Sequence, residues 1–323
     1  MAVTIRDVAR ASGVHVSTVS RAFSAPHLVN PETRTRVLAV ADDLGYRPNR
    51  AARALTTGRT HNLGLIVADI SNPFFPPLIK AAQEQARLRD YHVFVADTDE
   101  DPKVEEDLIQ TLTKQVDGVL LCSPRLTNRT IERLREEVPF VLVNRRVKGM
   151  ATVLMDVARG ARLAFEHLTA LGHRRLALVT GPSGSWTSKE MQEAAAATHE
   201  VDVVFLGPNQ PTELGGLAAA ADVIASGATG VLAYNDLVAI GLIEGLAERG
   251  VDVPGDISVI GVDDIVAGRL SRPKLTTIAM PTAAAGRIAV DMLLQSVDSQ
   301  AATGVTMLET TLIVRDSTGE AHT

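Results

Sequence analysis

The chain has 323 residues, one cysteine (Cys122) and a net charge of −6. That length exceeds one small core and predicts two or three compact units, the lone cysteine excludes an intrachain disulfide, and the longest apolar runs are too short to span a bilayer. The charge is split: residues 1–60 carry nine Arg, no Lys and four acids, a net of +5, whereas the rest carry 23 basic and 34 acidic side chains, a net of −11. A basic head on an acidic body is an asymmetry that needs a reason.

The first residues, MAVTIRDVARASG, lack a positive start followed by an apolar core, so no secretory signal is expected. A cytoplasmic protein is the expectation. Thr4 and Asp7 have the spacing of a capping box, and Ile5, Val8 and Ala9 give the first helix its inner stripe. Gly13 breaks it. A second helix is predicted to begin near His15, with Val16, Val19 and Phe23 at spacings of three and four. Asn30-Pro31-Glu32 reads as cap, first helical position and acid at the positive end of a third helix. That helix is predicted to run through Val37, Leu38, Val40, Ala41 and Leu44, stopped by Gly45. Two helices across a tight Gly turn and a third that closes their core predict a helix-turn-helix domain over residues 1–46. Its second helix, VHVSTVSRAF, carries hydroxyls and one Arg on its outer side.

Residues 47–60, RPNRAARALTTGRT, read as a connector in which Asn49 caps a short helix that Gly58 ends. It is too short and polar to be stable alone in water and should fold only against a partner surface. From residue 61 continuous apolar runs alternate with amphipathic helices. Strands are predicted at 62–69, 91–97, 118–122, 140–144, 175–181, 201–207, 230–235 and 257–264. Such unalternating strands between helices predict parallel sheets covered on both faces. Their number predicts two similar lobes, roughly 61–156 and 157–280.

The segments TIRDVARASGVHVSTVSRAF, YRPNRAARALTTGRT, DISNPFF, LTALGHRRLALVTGP, DISVIGVDD, PKLTTIAMP and LIVRDST follow one another in this order. Together they resemble the LacI/GalR family of bacterial transcription regulators along nearly the whole chain. The resemblance implies an α/β fold with an N-terminal all-α helix-turn-helix domain and a hinge helix. A two-lobed periplasmic-binding-protein-like core of parallel sheets, residues 61–323, follows. Lobe one would take about 61–156 and 281–307, lobe two about 157–280 and 308–323. It also implies a homodimer on a palindromic double-stranded DNA operator, acting as a repressor, with affinity set by a small-molecule effector between the lobes.

On this resemblance the second helix is the recognition helix. Val16, Ser17 and Arg21 would face base edges: Arg can pair bidentately with guanine, Val can touch a thymine methyl, and Ser can donate or accept. Thr4, Thr18, Ser20 and Asn30 would hold phosphates, which orient without reading sequence. His15 is expected as a cap or phosphate neighbour. Leu55 matches a wedge that enters the minor groove and kinks the operator, with Asn49, Arg50, Ala52 and Arg53 lining that groove and the backbone.

Ligands of parallel α/β proteins sit beyond the C-terminal ends of strands. There the resemblance implies effector contacts at Asn72, Phe74 and Phe75 after the first strand, Asn144 and Arg145 after the fourth, and Asn235 and Asp263 in lobe two. Trp186, near the cleft, is expected either to stack on a ligand or to join the core. The sequence departs from the family at Met191, where relatives often have Arg, at Met280, usually polar, and at Gln210, commonly aromatic. Met191 and Met280 are expected to line a less polar pocket, suited to a neutral sugar, polyol or nucleoside rather than a charged ligand.

An enzyme is not expected. The sequence has no G-x-G-x-x-G, P-loop Lys, G-x-S-x-G or H-E-x-x-H motif, and its eight His are scattered. Asp263-Asp264 and Asp97/Asp99 are paired carboxylates with no visible reason for their pKa values to differ. No cofactor, metal or membrane partner is expected. The tail RDSTGEAHT continues into no heptad pattern, so a dimer is expected rather than a coiled-coil tetramer.

Overall fold

The computed structural model describes residues 3–47, 58–198, 201–299 and 304–322. Asn49, Arg50, Ala52, Arg53 and Leu55 lie outside the described residues. Internal contacts divide the chain into Met1–Thr60 and His61–Thr323.

The first unit holds α1 (Ile5–Ser12), α2 (Val16–Ser24) and α3 (Pro31–Asp43), with a short 3-10 turn at Pro26–Leu28. The Asp7 carboxylate accepts from the Thr4 N–H (3.0 Å) and hydroxyl (2.7 Å). Gly13 ends α1 at φ +66°, a conformation that side chains disfavour, and so permits the sharp entry into α2. Val8, Ala9, Val19, Ala22, Val37 and Ala41 form the small core. Leu44, expected on the inner stripe of α3, instead follows the helix and is exposed. Tyr46 takes the inner place, edge-on to Phe23 at 5.9 Å.

The second unit contains two six-stranded sheets. The first is built from β1 (Asn62–Val67), α4 (Phe75–Arg87), β2 (His92–Asp97), α5 (Pro102–Leu112), β3 (Gly118–Cys122), α6 (Asn128–Leu134), β4 (Phe140–Val143) and β5 (Ala151–Met155). The second follows with α7 (Val157–Ala170), β6 (Arg175–Val179), α8 (Trp186–Ala196), β7 (Asp202–Leu206), α9 (Glu213–Ser226), β8 (Gly230–Ala233), α10 (Asp236–Ala247), β9 (Ser258–Asp263), α11 (Val266–Leu270) and β10 (Thr276–Ala279). The chain then returns through α12 (Thr282–Ser299) and β11 (Val305–Leu308) to the first sheet, and ends with β12 (Thr311–Ile313) in the second.

Strand order is β11-β5-β4-β3-β1-β2 in one sheet and β12-β10-β9-β8-β6-β7 in the other. All neighbours are parallel except β12, which runs antiparallel to β10. In both sheets the order reverses beside the first strand, β1 or β6, which opens a crevice at the strands' C-terminal ends. The sequence reading omits β5, β10, β11 and β12. β11 and β12 are short and half-exposed, and β10 is four residues with two threonines, so none of these gives a bounded apolar run; β5 does, between Gly149 and Asp156, and is absent from the expected strands all the same.

Each chain crossing between sheets is short: at Asp156, at Met280-Pro281 and at Glu309-Thr310. The buried Thr310 hydroxyl donates to Asp156 O (2.8 Å), Asp156 caps α7, and Arg159 donates to Thr310 O.

Helices α9 and α10 meet backbone to backbone. A Cβ on Gly241 would stand 1.8 Å from Glu213 O, and one on Gly216 2.0 Å from Val238 O. Gly241→Ala gains about 1 kcal/mol of helix propensity but forces the helices apart, an overpacking cost of about 1–3 kcal/mol or more. Because backbone atoms cannot turn aside, the clash should win. The variant is expected to melt several degrees lower, and a thermal melt checks it.

Candidate DNA-reading helix and interlobe cleft

His15 caps α2, its Nδ1 accepting from Ser17 N (3.3 Å) and lying 2.8 Å from Ser17 Oγ. Residues three and four apart share a helix face, so Ser17, Ser20 and Arg21 stand together, opposite the buried Val19 and Ala22. Arg21 and Ser20 are exposed; Ser17 and Thr18 are half-buried. Val16 borders the same face but packs against the core of the first unit and is half-buried. Asn30 caps α3 by accepting from Glu32 N (2.9 Å). The Thr4 hydroxyl is engaged by Asp7, whose carboxyl it holds below the ordinary range.

In the second unit a cleft lies between the two sheets. Asn72, Phe74, Phe75, Asn144, Asn235, Asp263 and Met280 line it. Phe74 and Phe75 meet edge to face at 5.0 Å. Each Asn also holds its own loop: Asn72 Oδ1 accepts from Phe74 N (2.9 Å), Asn144 Oδ1 from Met155 N (3.2 Å), and Asn235 Oδ1 from Val238 N (2.8 Å). Ser123, Asn144, Asp263 and Asp264, at or just past the ends of β3, β4 and β9, adopt positive φ of 51°, 53°, 122° and 57°. Such backbone is costly for residues with a side chain and collects at functional sites.

The remaining expected residues stand elsewhere. Met191 is fully buried and does not line the cleft: α8 turns Ser188, Met191, Ala194 and Ala195 inward as one stripe. Trp186 opens α8 and packs against the core. Arg145 lies behind the lining, donating to Leu126 O (3.3 Å), Asn128 Oδ1 (2.8 Å) and, across the lobes, Gly184 O (3.4 Å). Sequence reasoning missed Glu100, Ser123, Arg125, Thr187, Pro211, Tyr234 and Val262 in the lining. Glu100, Ser123 and Tyr234 follow strand ends, so that rule, applied to every strand, would have reached them.

Burial separates the acids that sequence could not. Asp263 is pushed well above the usual carboxylate range by burial and then by Asp236, whereas its neighbour Asp264 pairs with Arg315. Asp236, the first residue of α10, accepts from the Thr277 hydroxyl and Ile265 N; burial raises its pKa from 3.8 to about 7. Glu105 lies behind the Arg125 loop. Its Oε2 accepts from Arg125 N (2.8 Å) and Leu126 N (3.3 Å), and its buried Oε1 has no partner among the described residues.

Two family models match the chain: "Bacterial regulatory proteins, lacI family" over residues 4–49 and "Periplasmic binding protein-like domain" over residues 165–318. The transcriptional regulator GalS of Salmonella typhimurium is 34% identical over 91% of this chain and 89% of its own. The Lac repressor dimer bound to operator and the anti-inducer ONPF superposes with a TM-score of 0.89 at 26% identity, covering 99% of this chain and 100% of that one. A LacI family regulator from Enterococcus faecalis with bound ribose does so at 0.74 and 28%, covering 81% and 100%. A helix-turn-helix head and a two-sheet, periplasmic-binding-protein-like α/β core together define a class of transcription regulator. This chain belongs to the LacI/GalR family of DNA-binding transcription regulators.

Burial raises the Glu105 pKa from 4.5 to about 7. Between those values the unfolded chain releases the proton while the folded chain keeps it. Stability is therefore full below about pH 4.5, falls as pH rises to about 7, and is level beyond. Glu105→Gln keeps an acceptor for both N–H groups and removes the charge. In denaturant titrations it should match the unaltered chain near pH 4.5 and exceed it at pH 8 by up to about 3 kcal/mol. Parallel pH curves would contradict the assignment.

Proposed function

We propose that this protein is a cytoplasmic repressor that binds a palindromic double-stranded operator as a homodimer. Its DNA affinity is set by a neutral sugar, polyol or nucleoside held between the core lobes. The observation that carries this reading is the cleft at the C-terminal ends of two parallel sheets, on the same chain as a basic helix-turn-helix head. The operator-bound dimer of the Lac repressor speaks for the assembly, and the ribose of the Enterococcus faecalis regulator for the effector class.

In this reading residues 1–46 bind DNA, 47–60 form the hinge, and 61–323 bind effector and dimerise. Val16, Ser17 and Arg21 read base edges; Thr4, Thr18, Ser20 and Asn30 orient the head on phosphates. Leu55 enters the minor groove, flanked by Asn49, Arg50, Ala52 and Arg53. Asn72, Phe74, Phe75, Asn144, Asn235, Asp263 and Met280 touch the effector, while Arg145, Trp186 and Met191 support the wall behind them. Regulation is differential binding: effector and operator each favour a lobe arrangement, and their agreement or conflict sets corepression or induction.

Selection from a random duplex pool tests the DNA half. The full chain should enrich a palindrome with a pyrimidine–purine step at its centre, and a chain starting at Thr60 should enrich nothing. Arg21→Ala should cost about 1–3 kcal/mol on that operator and relax preference at one base pair of each half-site. Leu55→Ala should weaken operator binding far more than nonspecific binding; equal loss on both DNAs would sink the wedge. For the cleft, calorimetric titration with neutral sugars should give binding that Phe74→Ala weakens.

A further inference from the structure

The cleft contains an ion pair that the family motifs do not account for. Asp99 and Glu100 both adopt left-handed backbone, φ 49° and 62°, and Glu100 N donates to Ala68 O (2.7 Å). This turn after β2 delivers the Glu100 carboxylate to Arg125. The guanidinium side chain is only 8% exposed. Its Nε donates to Glu100 Oε2, Nη2 to Oε1 (2.9 Å) and Nη1 to Ser123 O (2.9 Å). Three of five N–H groups are thus committed within lobe one, and the Tyr234 side chain also hydrogen-bonds the guanidinium, so one N–H remains on the Nη atoms. From lobe two, Tyr234 stands beside the guanidinium. Its ring lies on Gly181, where a Cβ would come within 2.4 Å, and its hydroxyl is 2.9 Å from Ser185 Oγ.

A bare buried guanidinium is a receptor for carboxylate or phosphate. This one is already answered by a two-point carboxylate. An anion reaching Arg125 would also meet Glu100, and Arg125 is the lining's only basic residue among the described residues. The pair instead offers a spare N–H donor beside carboxylate lone pairs. That is the complement of a hydroxyl, which donates and accepts at once.

We propose that Glu100 is the specificity-determining residue of the cleft: by neutralising Arg125 it reserves the site for neutral polyhydroxy ligands and excludes their carboxylate and phosphate counterparts. The proposal rests on the reading that the cleft binds a small molecule. It puts an ion pair in place of Met191, which does not reach the lining, beside Met280, which does, as the origin of that selectivity.

The test uses the full chain, Glu100→Gln, and Glu100→Gln combined with Arg125→Gln. The probes are inorganic phosphate in thermal melts, and the matched pairs D-galactose/D-galacturonate and D-ribose/D-ribose 5-phosphate in calorimetry. The unaltered chain should bind the neutral member of a pair at least about tenfold more tightly. Phosphate should raise the melting temperature of Glu100→Gln above its effect on the unaltered chain, and the second substitution should abolish that gain. The anionic sugars should gain about tenfold on Glu100→Gln. A folded Glu100→Gln with no phosphate response overturns the proposal, as does tighter binding of the anionic member by the unaltered chain. Should Glu100→Gln fail to fold, the matched pairs on the unaltered chain decide. A phosphate gain with no binding of either neutral sugar would count against the sugar reading alone and leave the role of Glu100 standing.

Discussion

The second unit depends on how its two sheets are stitched together. The chain passes between them at Asp156, at Met280-Pro281 and at Glu309-Thr310. The buried Thr310 bonds Asp156 O, and Arg159 reaches back to Thr310 O, so the two passages from the first sheet to the second share one hydrogen-bonded knot. Three links between the same two bodies leave little freedom to twist or part. What remains is a change in how widely the facing strand ends stand apart. A ligand held between those ends would act on that separation.

The cleft walls show how that coordinate is held. From lobe one, Arg145 reaches Gly184 O across the gap, and the Arg125 guanidinium lies beside Tyr234, which is fixed by Gly181 below and Ser185 above. Behind them Glu105 anchors the backbone of Arg125 and Leu126. The positive φ values at Ser123, Asn144, Asp263 and Asp264 place strain where the strands end. The rigid sheets carry that cost and keep the polar groups pointed at one another.

Much of this was legible in the sequence, for identifiable reasons. Caps and breakers such as Asn30-Pro31 and Gly13 act within a few residues, so α1, α2 and α3 follow from local chemistry. Central strands such as β1 and β3 are buried on both faces and therefore read as unbroken apolar runs. The edge strands β11 and β12 do not, because half-exposed positions dilute the pattern. Asn72, Phe74, Asn235 and Asp263 follow strand ends, which is why position alone brought them to the cleft. Met191 failed for the converse reason: the rotation of α8 decides which way a side chain faces, and three residues of spacing turn it inward with Ser188 and Ala194. Arg125 and Glu100 are separated by 25 residues, and only the pairing of β1 with both β2 and β3 brings their loops together.

Cys122 closes β3 immediately before Ser123 of the cleft, yet it is 1% exposed and its thiol is pushed up to about 12 by burial. A thiolate is the reactive form, so the protein's single sulfhydryl is chemically silent at neutral pH. The protein is in effect a thiol-free scaffold. A cysteine introduced on each lobe would be the only pair to take a maleimide dye or spin label, which makes the gap between the lobes directly measurable without first stripping the chain of its native sulfur.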